Sequence, residues 1–419
     1  MEDFISAEDY AKLGIAAQEA ADYEAAKAHF ERAITINIQE FGEDSTLLPI
    51  NYANLAIALY KLGDTVEAQN LLEDAIALNK KHFPEGHPTF ADLYNKLALV
   101  LERLGKYAEA QSLLEATIAI EEKHFGKDYP NLGLSYHALA TVLQQLGNCK
   151  KAQSLLKKAI VINEKHLDPN DPQIAINYDS MAMVLCELGN YKQAQIFMVK
   201  AIAINEKHFE QGHPRLLNNY ANLATILGDL GKDKEARDIL ERIIAIEEAS
   251  LNTGHFELAT TYYNLATVLK NLGEFEKAKD LLLKAIAIEE AHLGATHPTL
   301  AASYSNLSTV FIDLKNYEQA QAYLRKAIAI GEAHSKTYQT DLAVYYFNIG
   351  LVLKKMGKFN EARTFLLKTA SINERDPNTT IDILLGIYTE LIHVSKILGK
   401  NLDAKAYLQK ANALVRRKR

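Results

Sequence analysis

At 419 residues, 48% of them apolar and only 9 of them proline, the chain is long enough for two or three globular domains, unless it is one repeat array that grows along a single axis. Its formal charge of −7, with both signs interspersed, carries no basic signal for nucleic acid. No stretch approaches the ~18 consecutive apolar residues of a membrane span, so no membrane insertion is expected. Two cysteines, Cys149 and Cys186, are too few for a disulfide framework and fit a reducing compartment. The segment Met1-Glu2-Asp3-Phe4-Ile5 is acidic and lacks the apolar region of a signal peptide. A cytoplasmic location is expected, with export by a leaderless route left open. The basic tail Arg416-Arg417-Lys418-Arg419 reads as a solvated helix end favoured by the macrodipole.

A period of 42 residues runs through the chain. Stepping by 42 from Gly63 reaches Gly105, Gly147, Gly189, Gly231, Gly273, Lys315, Gly357 and Gly399, and stepping back reaches Ala21. Five residues after each landmark stands alanine in all ten cases, from Ala26 to Ala404. Eleven residues before it stands tyrosine in all ten, from Tyr10 to Tyr388. The register predicts ten units at about 4–45, 46–87, 88–129, 130–171, 172–213, 214–255, 256–297, 298–339, 340–381 and 382–419, the last ending in a capping helix.

Within a unit, apolar residues recur at three and four, the helical spacing. In the third unit the pattern predicts one helix from Pro88 to Leu104, a left-handed stop at Gly105, and a second helix from Tyr107 to His124 that ends at Gly126. Asp171-Pro172, His213-Pro214 and His297-Pro298 repeat the entry signal. Short loops force antiparallel neighbours. The tyrosine is the large knob of the first helix, with Leu97 and Ala98 on the same face as Tyr94. The alanine is small so that the second helix can approach closely. One helix pair cannot bury both its faces, so the pairs must stack. At Lys315 the turn glycine is lost, and in "GEAHSKTYQTDLA" and "SINERDPNTTIDILLG" the linker is lost; these read as bends, drift or functional junctions.

Tyrosine, Asn-Leu-Ala, Leu-Gly, an aromatic, then Ala, Leu and Ala, together with "AIAIEEKHFGKDYP" and "AIAIEEAHLGATHP", resemble the tetratricopeptide signature in its 42-residue, kinesin light chain-like form. The resemblance spans Asp9 to Val415. It implies an all-α, right-handed α-solenoid whose first helices line a concave groove, and a binding role. No long heptad coiled coil precedes the repeats, so the motor-binding segment of that family is not seen.

Chemistry is scarce. His82, His124, His166, His208, His292 and His334 fall once per unit near second-helix ends, where they suit the helix dipole better than a metal. His87, His213, His255 and His297 read as helix-entry residues. Cys149 takes an aromatic position and reads as buried packing, while Cys186 is a candidate for the groove. No phosphate loop, carboxylate pair or Ser/His/Asp arrangement emerges, so neither enzyme activity nor a cofactor is expected.

Asparagine recurs nine residues before the landmark, as Asn54, Asn222, Asn264, Asn306 and Asn348. Mid-helix asparagine costs helix propensity and needs a reason. One reason is a hydrogen bond tying neighbouring first helices. The other, implied by the resemblance, is contact with the main chain of an extended peptide. Positions ten, six, three and two before the landmark are expected to share the groove. They include Asn95, Arg103, His137, Gln144, Asp179, Glu187, Asp229, Tyr263, Lys270, Asn271, Phe347, Lys354 and Lys355. Tyr263, Lys270, Asn271, Phe347 and Lys354 are the expected specificity residues beside the row. The basic end of the list suggests a negative ligand segment toward the last units. The partner is expected to be a protein or peptide, with adaptor, scaffold and ligand-switched regulator all open; the scaffold reading places folded partners or self-association on the convex face or ends.

Overall fold

The computed structural model describes residues 5–250, 256–334, 339–376 and 379–418, without the side chains of residues 250, 339, 417 and 418. His255, Arg417, Lys418 and Arg419 therefore lie outside the described side chains. The described residues form helices and no strand.

Two compact units follow one another, residues 1–210 and 211–419. The first holds α1 (Ala7–Glu19), α2 (Tyr23–Phe41), α3 (Leu48–Leu62), α4 (Thr65–His82), α5 (Thr89–Arg103), α6 (Tyr107–Phe125), α7 (Leu132–Gln145), α8 (Cys149–His166), α9 (Pro172–Glu187) and α10 (Tyr191–His208). The second holds α11 (Pro214–Asp229), α12 (Asp233–Ser250), α13 (Phe256–Asn271), α14 (Phe275–Leu293), α15 (Pro298–Asp313), α16 (Tyr317–Ala333), α17 (Gln339–Lys355), α18 (Phe359–Asn373), α19 (Ile381–Ile397) and α20 (Asn401–Lys418). Each odd helix pairs with the even helix that follows it, and each hairpin stacks on the next within its unit, an all-α solenoid arrangement.

The repeated residues explain the repeated packing. The alanine after each turn is fully buried from Ala26 to Ala362, so the two helices of a hairpin meet there without a side chain between them. The turn needs a left-handed residue, supplied by glycine at Gly105 (φ 73°). Ala21 and Lys315 adopt the same conformation at φ 59°. The loss of glycine at Lys315 therefore leaves the turn geometry unchanged and puts a side chain into a disfavoured backbone region.

The tyrosine is more than a knob. Its ring is buried or nearly so, and its hydroxyl donates to a glutamate of the preceding second helix: Tyr178 to Glu164 (2.5 Å), Tyr262 to Glu248 (2.7 Å), Tyr388 to Glu374 (2.8 Å), and likewise Tyr136 to Glu122 and Tyr304 to Glu290. A lysine of the following helix lies over the same ring, as Lys158 does over Tyr136 at 4.8 Å and Lys368 over Tyr346 at 4.6 Å. Burial, then the glutamate, pushes the Tyr262 phenol up to about 12. One residue thus fills the core and clamps adjacent hairpins.

Buried polar pairs add register. Ser135 donates to Glu121 (2.7 Å) and Ser303 to Glu289 (2.6 Å), each across a hairpin junction. Burial pushes the Glu121 carboxyl above its ordinary range.

Candidate functional site

In both units neighbouring first helices touch one another, as α3 touches α5 and α11 touches α13, while successive second helices do not pack comparably. Each stack therefore curves with its odd helices on the inside. The solvent-facing stripe of an inner helix is read directly from exposure. On α13 it is Thr260, Asn264, Thr267 and Asn271, spaced four, three and four.

The asparagine row lies on that stripe. Asn54, Asn222, Asn264 and Asn348 are half-buried, and Asn306 is exposed. None of these five amides makes a hydrogen bond to another described residue; Asn54 and Asn306 accept only through their backbone carbonyls. The ties between neighbouring inner helices are made elsewhere. Asn95 Nδ2 donates to Ser135 (3.3 Å), His137 Nε2 meets Ser180 (2.9 Å), and Gln144 Nε2 donates to Glu187 (2.5 Å).

Position ten before the landmark does not face the groove as expected. Tyr263 turns to the outer helix and donates to Glu289 (2.9 Å), while Phe347 packs against the cluster that contains Ile387, Tyr388 and Leu391. The cause is a rotation of ~100° per residue, which places the residue after the buried tyrosine on the side that meets the next hairpin. His137 shares this placement, and its burial lowers its pKa to about 4, so its ring is neutral at pH 7.

The expected basic end is largely neutralised. Lys354 reaches Glu390 (2.5 Å), and Lys270 reaches Thr309 (3.0 Å) and Asp313 (3.8 Å). Asn271 remains at the inner surface with its amide donating to Asp233 (3.0 Å). A cleft of about 180 Å³ opens between α11 and α13, with Asn264 and Asn271 at its edge.

The other polar candidates have structural partners. His124 meets the Gly86 carbonyl (3.0 Å) and His166 meets Asp128 (3.2 Å), each reaching back to the preceding linker. His213 and His297 cap their helices, accepting from the backbone N–H two residues on (3.2 and 3.3 Å). Cys149 is not in apolar packing: it is half-buried and donates to Glu187 (2.9 Å), a contact that, with burial, pushes the thiol up and away from nucleophilic reactivity. Among the described residues no group of three His, Cys, Asp or Glu side chains converges as a metal site would, and no helix is long and apolar enough to cross a membrane.

What the sequence reading missed is the inner stripe of the first unit. There Ile50 (56% exposed), Leu99 (41%) and Leu134 (51%) face solvent, with Ile57, Ile176 and Met183 half-buried beside them. Position six before the landmark is among the expected groove positions, though its apolar residues are not; position thirteen is not among them, and comparing the two across repeats finds the stripe.

The chain belongs to the tetratricopeptide repeat family, whose models match residues 7–81, 89–165, 173–249, 257–333 and 343–376. Proteins of this fold typically mediate protein–protein interactions and are generally non-catalytic. Similar solved structures include a putative kinesin light chain from Podosopora anserina with nearly identical TPR-like repeats, at 26% identity, 49% of this chain, 97% of that chain and a TM-score of 0.46. Also similar is a signal-transduction ATPase with numerous domains from Pyrococcus horikoshii, which has a tetratricopeptide repeat sensor, at 16% identity, 92% of this chain, 52% of that chain and a TM-score of 0.57. The apo form of RapI matches at 16% identity, 68% of this chain, 97% of that chain and a TM-score of 0.50. No curated protein sequence matches the chain.

Proposed function

We propose that the chain is a non-catalytic, cytoplasmic adaptor or regulator that holds an extended stretch of a partner protein along the inner face of its second unit. It needs no cofactor on this reading, and neither nucleic acid nor membrane is its target. The observation that carries the reading is the row Asn222, Asn264, Asn306 and Asn348, whose amides have no hydrogen-bonding partner among the described residues. Each amide offers a donor and an acceptor together, the pair that a peptide main chain requires. Inner helices stack at ~8–10 Å and an extended chain advances ~3.3 Å per residue, so every third peptide residue meets a new asparagine. Four asparagines then hold roughly nine or ten residues with little regard to sequence. Specificity must come from beside the row. Asn271 is available there, whereas Tyr263, Lys270, Phe347 and Lys354 contribute by holding the inner helices in place. Asn54 offers the same amide on the first unit.

Affinity capture from the native source tests this reading. The wild-type chain should retain a partner that the triple variant Asn264→Ala/Asn306→Ala/Asn348→Ala loses. Equal recovery by both proteins would move the binding surface elsewhere. The outer side is the second reading, because clefts of about 450 and 410 Å³ open there beside Tyr262 and Tyr136.

A further inference from the structure

The cleft between α11 and α13 owes its existence to Gly228. Three residues before the landmark, the other nine repeats carry Gln18, Tyr60, Glu102, Gln144, Cys186, Lys270, Ile312, Lys354 and Lys396. A Cβ placed on Gly228 would meet nothing within 4 Å. The glycine is therefore not demanded by close packing; it leaves open space where every other repeat puts a side chain. Ala224, Leu240 and Val268 form the apolar floor of that space.

The rim offers several oxygen acceptors, with the Asn264 amide and one Asn271 N–H as its side-chain donors. Thr225 Oγ1 donates to the Ala221 carbonyl (3.1 Å) and Thr267 Oγ1 to the Tyr263 carbonyl (3.0 Å). Asn271 donates its amide to Asp233 (3.0 Å). Each threonine keeps only oxygen lone pairs for a ligand, and Asn271 keeps its Oδ1 and one N–H. Asp229 is exposed, makes no ion pair among the described residues, and is the only charged residue lining the cleft. The neighbouring Lys270 is drawn away to Thr309 and Asp313.

An apolar floor under a rim of hydroxyl and amide oxygens with one carboxylate matches a side chain with a hydrocarbon stem and a compact head bearing several N–H donors. We propose that this cleft takes a lysine side chain of the bound peptide, an assignment that rests on the inner-face reading above. The stem lies on Leu240 and Val268, and the ammonium meets Asp229, the threonine oxygens and Asn271 Oδ1. Three donors on a point charge suit acceptors spread around a rim, whereas the planar fork of arginine would engage the one carboxylate and leave the scattered threonine and amide oxygens unmet. The asparagine row holds the main chain, and the Gly228 cleft selects one residue of it.

The test uses the full ¹⁵N-labelled chain and four acetylated, amidated heptapeptides of alternating serine and alanine that differ only in the central residue: lysine, norleucine, arginine or glutamate. The lysine peptide should shift the side-chain amide signals of Asn264 and Asn271 and bind about tenfold more tightly than the norleucine and glutamate peptides. Gly228→Gln introduces a residue that two other repeats carry at this position, so it should fold with an unchanged or higher melting temperature, and it should abolish the lysine preference. Asp229→Asn should reduce that preference and its salt dependence. Equal binding of lysine and norleucine, a preference for arginine, or a lysine preference that survives Gly228→Gln would overturn the assignment. If all four peptides bind alike and Asn306→Ala weakens them alike, the groove stands and the lysine pocket falls. If none perturbs the inner face, both fall.

Discussion

The two units share one scaffold and differ on its inner surface. On the first, the stripe reads Ile50, Ile57, Leu99, Leu134, Ile176 and Met183, with Asn54, Asp92 and Thr141 among them; on α11, α13 and α15 of the second it reads Asn218, Asn222, Thr225, Thr260, Asn264, Thr267, Asn306 and Thr309, and it turns apolar again at Val344 and Leu351 of α17. The buried alanine, the clamped tyrosine and the left-handed turn are the same in both. Stability is set by the hairpin and junction contacts, so the stripe is free to vary, and the difference between the units reports on what each binds. An apolar stripe favours contact by area, whereas an amide and hydroxyl stripe favours contact by direction.

The largest effect should come from the shared scaffold. Ala110→Leu in the first unit and Ala278→Leu in the second each put a large side chain into a fully buried contact, and each should destabilise by ~1–3 kcal/mol in chemical denaturation. Unequal costs would break the claim that both units rest on one packing rule.

Acid should separate the units next. The His137 pKa falls to about 4 from an unfolded value of 6.5, so the folded first unit favours the neutral ring. That contribution is complete above pH 6.5 and is lost as pH falls toward 4, about 3 kcal/mol. Buried Glu121 in the first unit and Glu247 in the second have raised pKa values and oppose the trend, since each favours the fold when protonated. The difference between wild type and His137→Gln isolates the histidine. Amide exchange should show the first unit of the wild type opening more readily at pH 4.5 than at pH 7.5, and the variant losing most of that change.

Smaller effects sharpen the comparison. Lys315→Gly should stabilise the second unit by about 1 kcal/mol, because φ 59° suits glycine better than lysine. A rise in melting temperature checks it. Leu99→Ser and Thr267→Ala, on the two inner stripes, should each change stability by less than about 0.5 kcal/mol.

Much of the fold was legible because it repeats. Tyrosine and alanine in every unit mark the core, and the turn glycine marks its own backbone conformation. The candidate site was legible only in part. A period aligns equivalent residues without saying which side of a helix faces solvent and which faces the next hairpin. For that reason Tyr263 and Phe347 were assigned to the groove, although one is bonded to Glu289 and the other packs into the core. Lys270 and Lys354 looked free because their partners, Asp313 and Glu390, lie a whole repeat further on. Gly228 stands out only when the position three before the landmark is compared across all ten repeats, and its meaning depends on the space around it.

The central claim is that the asparagine row serves a ligand and not the scaffold. Thermal stability and affinity for a captured partner, measured together on Asn264→Ala and Asn306→Ala, test it most directly. The absence of any hydrogen bond from these amides to the described protein predicts stability within about 0.5 kcal/mol of wild type, with affinity up to about tenfold weaker per substitution. Clearly reduced stability with unchanged affinity would contradict the account and return the row to the scaffold.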